Sequence, residues 1–205
     1  TITSKAEGHH RHKKQTGGAG QFGEVYLRVE PLPSGSGFEF GSAVVGGAIP
    51  SQYIPAIETG VRQAMATGAV NGFPMQDIKV IVYDGKHHSV DSKEIAFVQA
   101  GKKAFLDAIA NARPIIMEPI VDVAITVPSD CAGGVAGDLS SMRGMINGTE
   151  TLPDNRIVVS GKAPLKEIQG YHSRLKSLSG GDGSFTMDFS HYAEVAPGFV
   201  EQHSA

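Results

Sequence analysis

The run Gly18-Ala19-Gly20-Gln21-Phe22-Gly23-Glu24-Val25-Tyr26-Leu27-Arg28-Val29-Glu30 separates two very different folds. Its first six residues have the G-x-G-x-x-G spacing of a dinucleotide loop, but such a loop follows a buried strand and opens a helix. Here a basic, polar stretch comes before it and strict alternation comes after it. Val25, Leu27 and Val29 fall on one face and Glu24, Tyr26, Arg28 and Glu30 on the other, the period of a half-buried strand. That context argues against a nucleotide-binding turn. Glu24 also stands where a G-x-x-x-x-G-K-S/T loop carries its phosphate-holding lysine, so no cofactor is expected in this chain and it is not expected to be an enzyme.

On the N-terminal side, Lys5, Arg11, Lys13 and Lys14 with His9, His10 and His12 stand against one acid, Glu7. The segment reads equally as an RNA-facing basic edge, because phosphates need cations only where the backbone passes, or as a solvated mobile terminus. Gln15 to Gly23 is a loop whose four glycines permit backbone conformations closed to other residues. On the C-terminal side, Pro31 to Gly37 is a turn and Phe38 to Val45 a second strand, together a hairpin with a long tip. From Pro50 the period becomes helical, with Ile54, Ile57, Val61 and Met65 as the stripe, Pro55 in the first turn and Gly68 as the stop.

Gln76 to Asp84 alternates again through Ile78, Val80 and Val82, and leads into the polar loop Asp84 to Val90. Asp91 opens another helix, with Glu94 completing a capping box and Ile95, Val98, Phe105 and Ile109 as its stripe. The pattern restarts after two prolines, which places a domain boundary near residue 118. Beyond it the spacing predicts a strand over 120–127, a helix over 133–142, strands over 145–152 and 156–163, a helix over 165–178 and a strand over 183–191. That order, βαββαβ, is the split βαβ of a ferredoxin-like domain. The expected division is 1–118, 119–195 and a frayed tail over 196–205.

The 205 residues are 40% apolar with net charge −3, enough for two small cores and no global argument for nucleic acid. No run of about 18 apolar residues is present to span a bilayer, so no membrane partner is expected. The chain opens at Thr1 rather than Met, which suggests a piece of a longer protein. Its single cysteine, Cys131, fits a reducing cytoplasm and reads as a small packed residue rather than a nucleophile. The clustered histidines, with His87 and His88 further on, lack paired helical spacing, and the neighbouring cations disfavour a dication, so no metal is expected. No serine sits in a G-x-S-x-G elbow.

What remains are two polar loops, Gln15 to Gly23 and Asp84 to Val90, attached to strands of one sheet. Placed at the same end, they form a tip of glycine backbone, amides, a hydroxyl and an imidazole that suits RNA; the alternative is a pair of ordinary solvent loops.

Lys13-Lys14-Gln15-Thr16-Gly17-Gly18-Ala19-Gly20-Gln21-Phe22-Gly23 resembles the first tip loop of domain IV of elongation factor G, KxQ(S/T)GGRGQ(Y/F)G. Gly46-Gly47-Ala48-Ile49-Pro50 with Tyr53-Ile54-Pro55-Ala56 is similar to that family's VGGxIPxxYIPA. Asp84-Gly85 with His88, Val90, Asp91, Ser92 and Glu94 is similar to DGxxHxVDSxE. In the second domain Gly137-Asp138-Leu139 with Arg143-Gly144 resembles GDLNxRRG, and Phe185, Met187, Phe189 and Tyr192 the closing FxMxFxxY. The likeness runs from about residue 2 to 195.

The resemblance implies an α+β chain, with a ribosomal protein S5 domain 2-like domain, left-handed in its βαβ crossover, followed by a ferredoxin-like domain. It implies the ribosome-binding C-terminal part of a cytoplasmic, monomeric translational GTPase that moves tRNA and mRNA during protein synthesis. GTP and magnesium belong, on that reading, to an N-terminal G domain outside this chain. Partners would be tRNA, mRNA, the small-subunit decoding site and the large-subunit GTPase centre. Carried over by position, the tRNA- and rRNA-contacting tip residues are Gln15, Thr16, Gly17, Gly18, Gly20, Gln21 and His88. Ala19 stands where the family commonly has Arg and Ser89 where it has Asp, while Ser140, Met142 and Met145 replace Asn, Arg and Arg. The three losses of cations, at Ala19, Met142 and Met145, favour a divergent paralogue. A ribosome-recycling paralogue and a tetracycline-type ribosomal protection factor are the alternatives.

Overall fold

A computed structural model describes residues 1–15 and 17–203, the last three by their backbone only. The chain divides into two compact units, Thr1–Ile116 with the segment from Ala196 onward, and Met117–Val195.

The first unit holds β1 (Ala6–Lys14), β2 (Gln21–Pro31), β3 (Phe38–Ser42), α1 (Ile54–Thr67), β4 (Ile78–Lys86) and α2 (Glu94–Ala110). Its sheet order is β1-β2-β4-β3. Val25, Leu27 and Val29 of β2 and Ile78, Val80 and Val82 of β4 are fully buried in one core with Ile57 and Val61 of α1 and Phe97 and Phe105 of α2. Burying each of these larger side chains contributes roughly 1.5–3 kcal/mol.

Three readings are decided or corrected here. The basic segment, which the sequence leaves open between an edge and a loose terminus, is an edge strand, antiparallel to β2 from Ala6↔Val29 to Lys14↔Gln21. It escapes a hydrophobic reading because α2 lies against it so closely that a Cβ on Gly8 would collide with the Ala104 carbonyl oxygen. Glycine therefore occupies an inward position where pattern reading looks for a large apolar side chain. Second, β2 and β3 form no hairpin. β4 lies between them, antiparallel to β2 and parallel to β3, so β3-α1-β4 is a parallel crossover. Alternation identifies strands but not their neighbours. Third, α2 begins at Glu94 after the extended residue Lys93, with no side-chain cap, and Asp91 and Ser92 lie outside it. Its buried stripe is Ala96, Phe97, Ala100, Ala104, Phe105, Ala108 and Ile109, while Ile95 is exposed.

The second unit holds β5 (Met117–Pro128), α3 (Ala132–Ser141), β6 (Met145–Thr151), β7 (Arg156–Pro164), α4 (Leu165–Ile168), α5 (Tyr171–Leu178) and β8 (Ser184–Glu194). The sheet order is β6-β7-β5-β8 and every adjacent pair is antiparallel, the ferredoxin-like split βαβ. Val121, Val123, Ile125 and Val127 of β5 pack with Val135, Leu139, Val159, Ile168 and Leu175. The single helix expected over 165–178 is two, turned at Gly170 with φ 80°. A 3-10 helix spans Pro197–His203, where fraying is the expectation; Phe199 N–H donates to the Ala196 carbonyl at 2.9 Å and closes a turn. Among the described residues no helix is long and apolar enough to cross a membrane.

Candidate nucleic-acid interface

Because β2 runs antiparallel to both β1 and β4, the β1–β2 connection and the segment after β4 emerge at the same end of the first sheet. Glu24 near the start of β2 is opposite Lys86 at the end of β4. The sheet thus brings Gln15, Gly17, Gly18, Gly20 and Gln21 to the same end as His88; Thr16 lies outside the described residues. Gln15 is exposed, and Gln21 is half-buried with its Oε1 3.0 Å from His12 Nε2.

The two loops are tied together. Phe22 N–H donates to the Asp91 carbonyl at 3.0 Å, and Ser92 Oγ–H donates to the Phe22 carbonyl at 3.0 Å. The same Ser92 oxygen accepts the His88 backbone N–H at 2.7 Å. The Gly20 backbone comes so close that a Cβ there would lie 3.0 Å from the Asp91 carboxyl carbon. This is what the glycine at that position supplies.

His88 is held within its own turn. Its Nδ1 lies 3.3 Å from the backbone nitrogens of Val90 and Asp91 and 3.6 Å from Asp91 Oδ2; with Nδ1 accepting the two N–H groups, the neutral ring carries its proton on Nε2. The side chain is 54% exposed, so this Nε2–H is available as a donor to an external acceptor.

Arg11, Lys13, Lys14, Gln15, Gln21, Phe22, His88 and Asp91 are among the residues lining a cleft of about 260 Å³ at this end. The Arg11 guanidinium lies 5.3 Å from the centroid of the Phe22 ring, a cation–π arrangement. Three cations against one carboxylate make the cleft suited to an anionic backbone, and an aromatic face with an imidazole donor adds contacts for sugars and bases. The histidines of β1 have other work: His9 Nε2 is 2.7 Å from buried Glu24 Oε1, and its ring stacks on Tyr26 at 4.1 Å. His10 is half-buried toward α2, and burial, then Lys103, hold its pKa below the ordinary histidine value.

The first loop differs from a phosphate-holding glycine loop. The glycine run opens β2 rather than a helix, and Glu24, at the lysine position, is buried. Cys131 packs at the edge of the second core with Sγ 3.6 Å from the Leu178 carbonyl, and burial followed by Asp130 pushes its thiol pKa up, against a nucleophilic role.

In the second unit the charged motif residues Asp138 and Arg143 are engaged internally, whereas Met187, Phe189 and Tyr192 of the closing motif are exposed. Asp138 accepts from Tyr171 Oη at 3.0 Å and from Arg174, joining α3 to α5. Burial and then Asp138 raise the Tyr171 phenol. Arg143 makes a bidentate pair with Glu118 at 2.8 and 3.0 Å and reaches Glu167 at 3.2 Å. Met142, where the family has Arg, packs against the core, whereas Met145 is exposed.

Ser92, Tyr53 and Phe22 are the tip residues that pattern reading does not single out. Their only signal is membership of quoted motifs, because a serine that bridges two loops has no periodicity.

Two small α+β sheet domains, the first carrying a paired-loop, cationic tip, define the class of protein to which this chain belongs. The comparisons with known proteins make this specific. The family model described as elongation factor G, domain IV matches residues 1–113, and that described as the elongation factor G C-terminus matches residues 115–203. The chain belongs to the elongation factor G family, and its fold is the S5 domain 2-like plus ferredoxin-like pair. It is 44% identical over 202 residues to an elongation factor G-like protein of Thermotoga maritima, and 46% identical over 202 residues to elongation factor G of Aquifex pyrophilus. Those matches cover 98% of this chain but only 30% and 29% of the two relatives. A crystal structure of a Thermus thermophilus protein is similar at TM-score 0.85 and 42% identity, covering 99% of this chain and 30% of that one.

Proposed function

We propose that this chain is the distal, ribosome-contacting part of a translational GTPase that promotes movement of tRNA and mRNA during protein synthesis. The tip loops enter the small-subunit decoding site and contact the tRNA–mRNA helix region. The observation that carries this reading is the joined pair of loops, with Gln15, Gly17, Gly18, Gly20, Gln21 and His88 at one end and Arg11, Lys13 and Lys14 beside them. Thr16 is assigned to the same contact set by its place in the first-loop motif.

The mechanism is differential binding. A tip that replaces decoding-site contacts during movement lowers the barrier without making or breaking a covalent bond, provided its contacts are stronger in the moving state than at rest. Cations hold the phosphates and the His88 Nε2–H supplies a directional donor. GTP hydrolysis with magnesium takes place in a G domain outside this chain, the second domain relays to the large-subunit GTPase centre, and the protein acts as a cytoplasmic monomer.

The test is single-round tRNA–mRNA movement driven by the full-length protein with GTP, comparing wild type with His88→Ala. The expected result is movement slowed by about 10²-fold with ribosome binding retained. Equal loss of binding and movement counts against the tip mechanism. No movement by the wild type despite binding shifts the reading to ribosome recycling or drug protection.

A further inference from the structure

Ser92 meets three separate pieces of the first unit within hydrogen-bonding distance. Its hydroxyl oxygen receives the His88 N–H at 2.7 Å and donates to the Phe22 carbonyl at 3.0 Å, while its own carbonyl accepts Tyr53 Oη–H at 3.0 Å. Tyr53 ends the 3-10 turn Ser51–Tyr53 before α1, and its ring stacks on Phe97 of α2 at 4.6 Å. Phe97 is fully buried. A continuous path therefore runs from the core, through Tyr53, into Ser92, and out to both loops.

Position explains why one small hydroxyl is used. His88 and its neighbours to Val90 are exposed, and the second loop is held by few side-chain contacts, the His88 ring 6.2 Å from that of Phe22 and His87 Nδ1 3.2 Å from the Ala48 carbonyl. The first loop is likewise exposed at Gly17, Gly18 and Ala19. A loop pair with so little packing keeps its spacing chiefly through directional bonds, and the Ser92 hydroxyl supplies one to each side. The short isolated bridge Phe22↔Ser92 marks the same junction in the backbone.

We propose that Ser92, backed by Tyr53, is the positioning residue that sets the spacing of the two tip loops and so the aim of His88. The proposal rests on the functional reading above. Without the hydroxyl, the His88 N–H and the Phe22 carbonyl turn to water, while the Phe22 N–H bond to the Asp91 carbonyl still joins the two segments, so the fold persists and the His88 end of the second loop loosens against the first. The effect then falls on the rate of movement at saturation rather than on binding, because a misplaced contact group is lost chiefly where geometry is tightest.

Three full-length variants, Ser92→Ala, Ser92→Thr and His88→Ala, are compared in single-round tRNA–mRNA movement, with half-saturating concentration measured alongside. In the 205-residue chain, amide hydrogen exchange is read at His88 and Phe22, with Leu27 and Val80 as internal references. Ser92→Ala is expected to slow movement at saturation by about tenfold with half-saturation changed by less than about twofold. It is expected to speed exchange at His88 by about tenfold while leaving the strand amides alone, and Ser92→Thr, which restores the hydroxyl, returns both. Slow His88→Ala beside wild-type Ser92→Ala overturns the positioning role and leaves the functional reading intact. If His88→Ala moves at the wild-type rate, the functional reading fails, and the bridge stands or falls on exchange alone. Unchanged exchange at His88 and Phe22 in Ser92→Ala overturns it, as does protection lost equally in Ser92→Thr.

Discussion

The tip of the first domain and the α3–β6 side of the second use motif residues in opposite ways. At the tip, Gln15, Lys13, Lys14 and the His88 ring are exposed, and the bonds that hold the loops run through backbone and Ser92. In the second domain Asp138 and Arg143 spend their charges on Tyr171, Arg174, Glu118 and Glu167. Both sets belong to motifs of the same family. A motif residue can therefore mark a surface for a partner or a strut inside the domain, and only the contacts distinguish them.

The largest effect that would sharpen this contrast is Arg143→Met. Glu118 is 4% exposed at its side chain, and removing its bidentate partner is expected to cost the second domain about 3 kcal/mol. Hydrogen exchange at Val123 and Val159 in urea reads that loss, and unchanged exchange would break the assignment of Arg143 as a strut. A smaller effect is expected from the double change Lys13→Ala and Lys14→Ala. Ribosome affinity should fall by about tenfold, with a shallower salt dependence, and stability should move by less than about 0.5 kcal/mol. Sedimentation at two salt concentrations beside a thermal melt checks both halves, and a large stability loss would make the tip lysines struts too.

The smallest effect concerns pH. His10 has a folded-state pKa below its ordinary value because of burial and Lys103, with His12 and His9 acting in the same direction and Asp107 opposing them. The unfolded chain therefore takes up the proton first as pH falls. First-domain stability is unaffected by this residue above the ordinary histidine range, and declines as pH drops below about 6.5 toward the folded value. His10→Asn should flatten that decline in exchange at Leu27, while exchange at Val159 in the second domain stays the same in both proteins.

Much of the fold is legible because apolar residues alternate where strands have one buried face. Ile120 to Val127 is read from that signal, and the structure extends β5 to Met117 at one end and Pro128 at the other. The signal fails in β1, where inward Gly8 leaves no apolar mark, and at β3, whose parallel neighbour is chosen by long-range packing. It misleads at Asp91, where a capping pattern sits beside a helix that starts later, because the Phe22 N–H draws the Asp91 carbonyl into the tip junction. The loops that form the tip are legible as polar and glycine-rich. Their coupling is not, since it depends on a contact between Phe22 and Ser92, seventy residues apart.

The run of histidine, arginine and lysine along β1 has a consequence away from any RNA. β1 is the outer strand of its sheet, with one side of its backbone unpaired within that sheet. An open strand edge invites another chain to lengthen the sheet, and a dense row of positive and bulky polar side chains discourages that by mutual repulsion. On the proposed function, the residues at the far end of this row are the ones that meet nucleic acid. The rest, with the His9 N–H already taken by the Asp107 carboxylate at 3.0 Å, make that margin a poor template for a second copy of the chain.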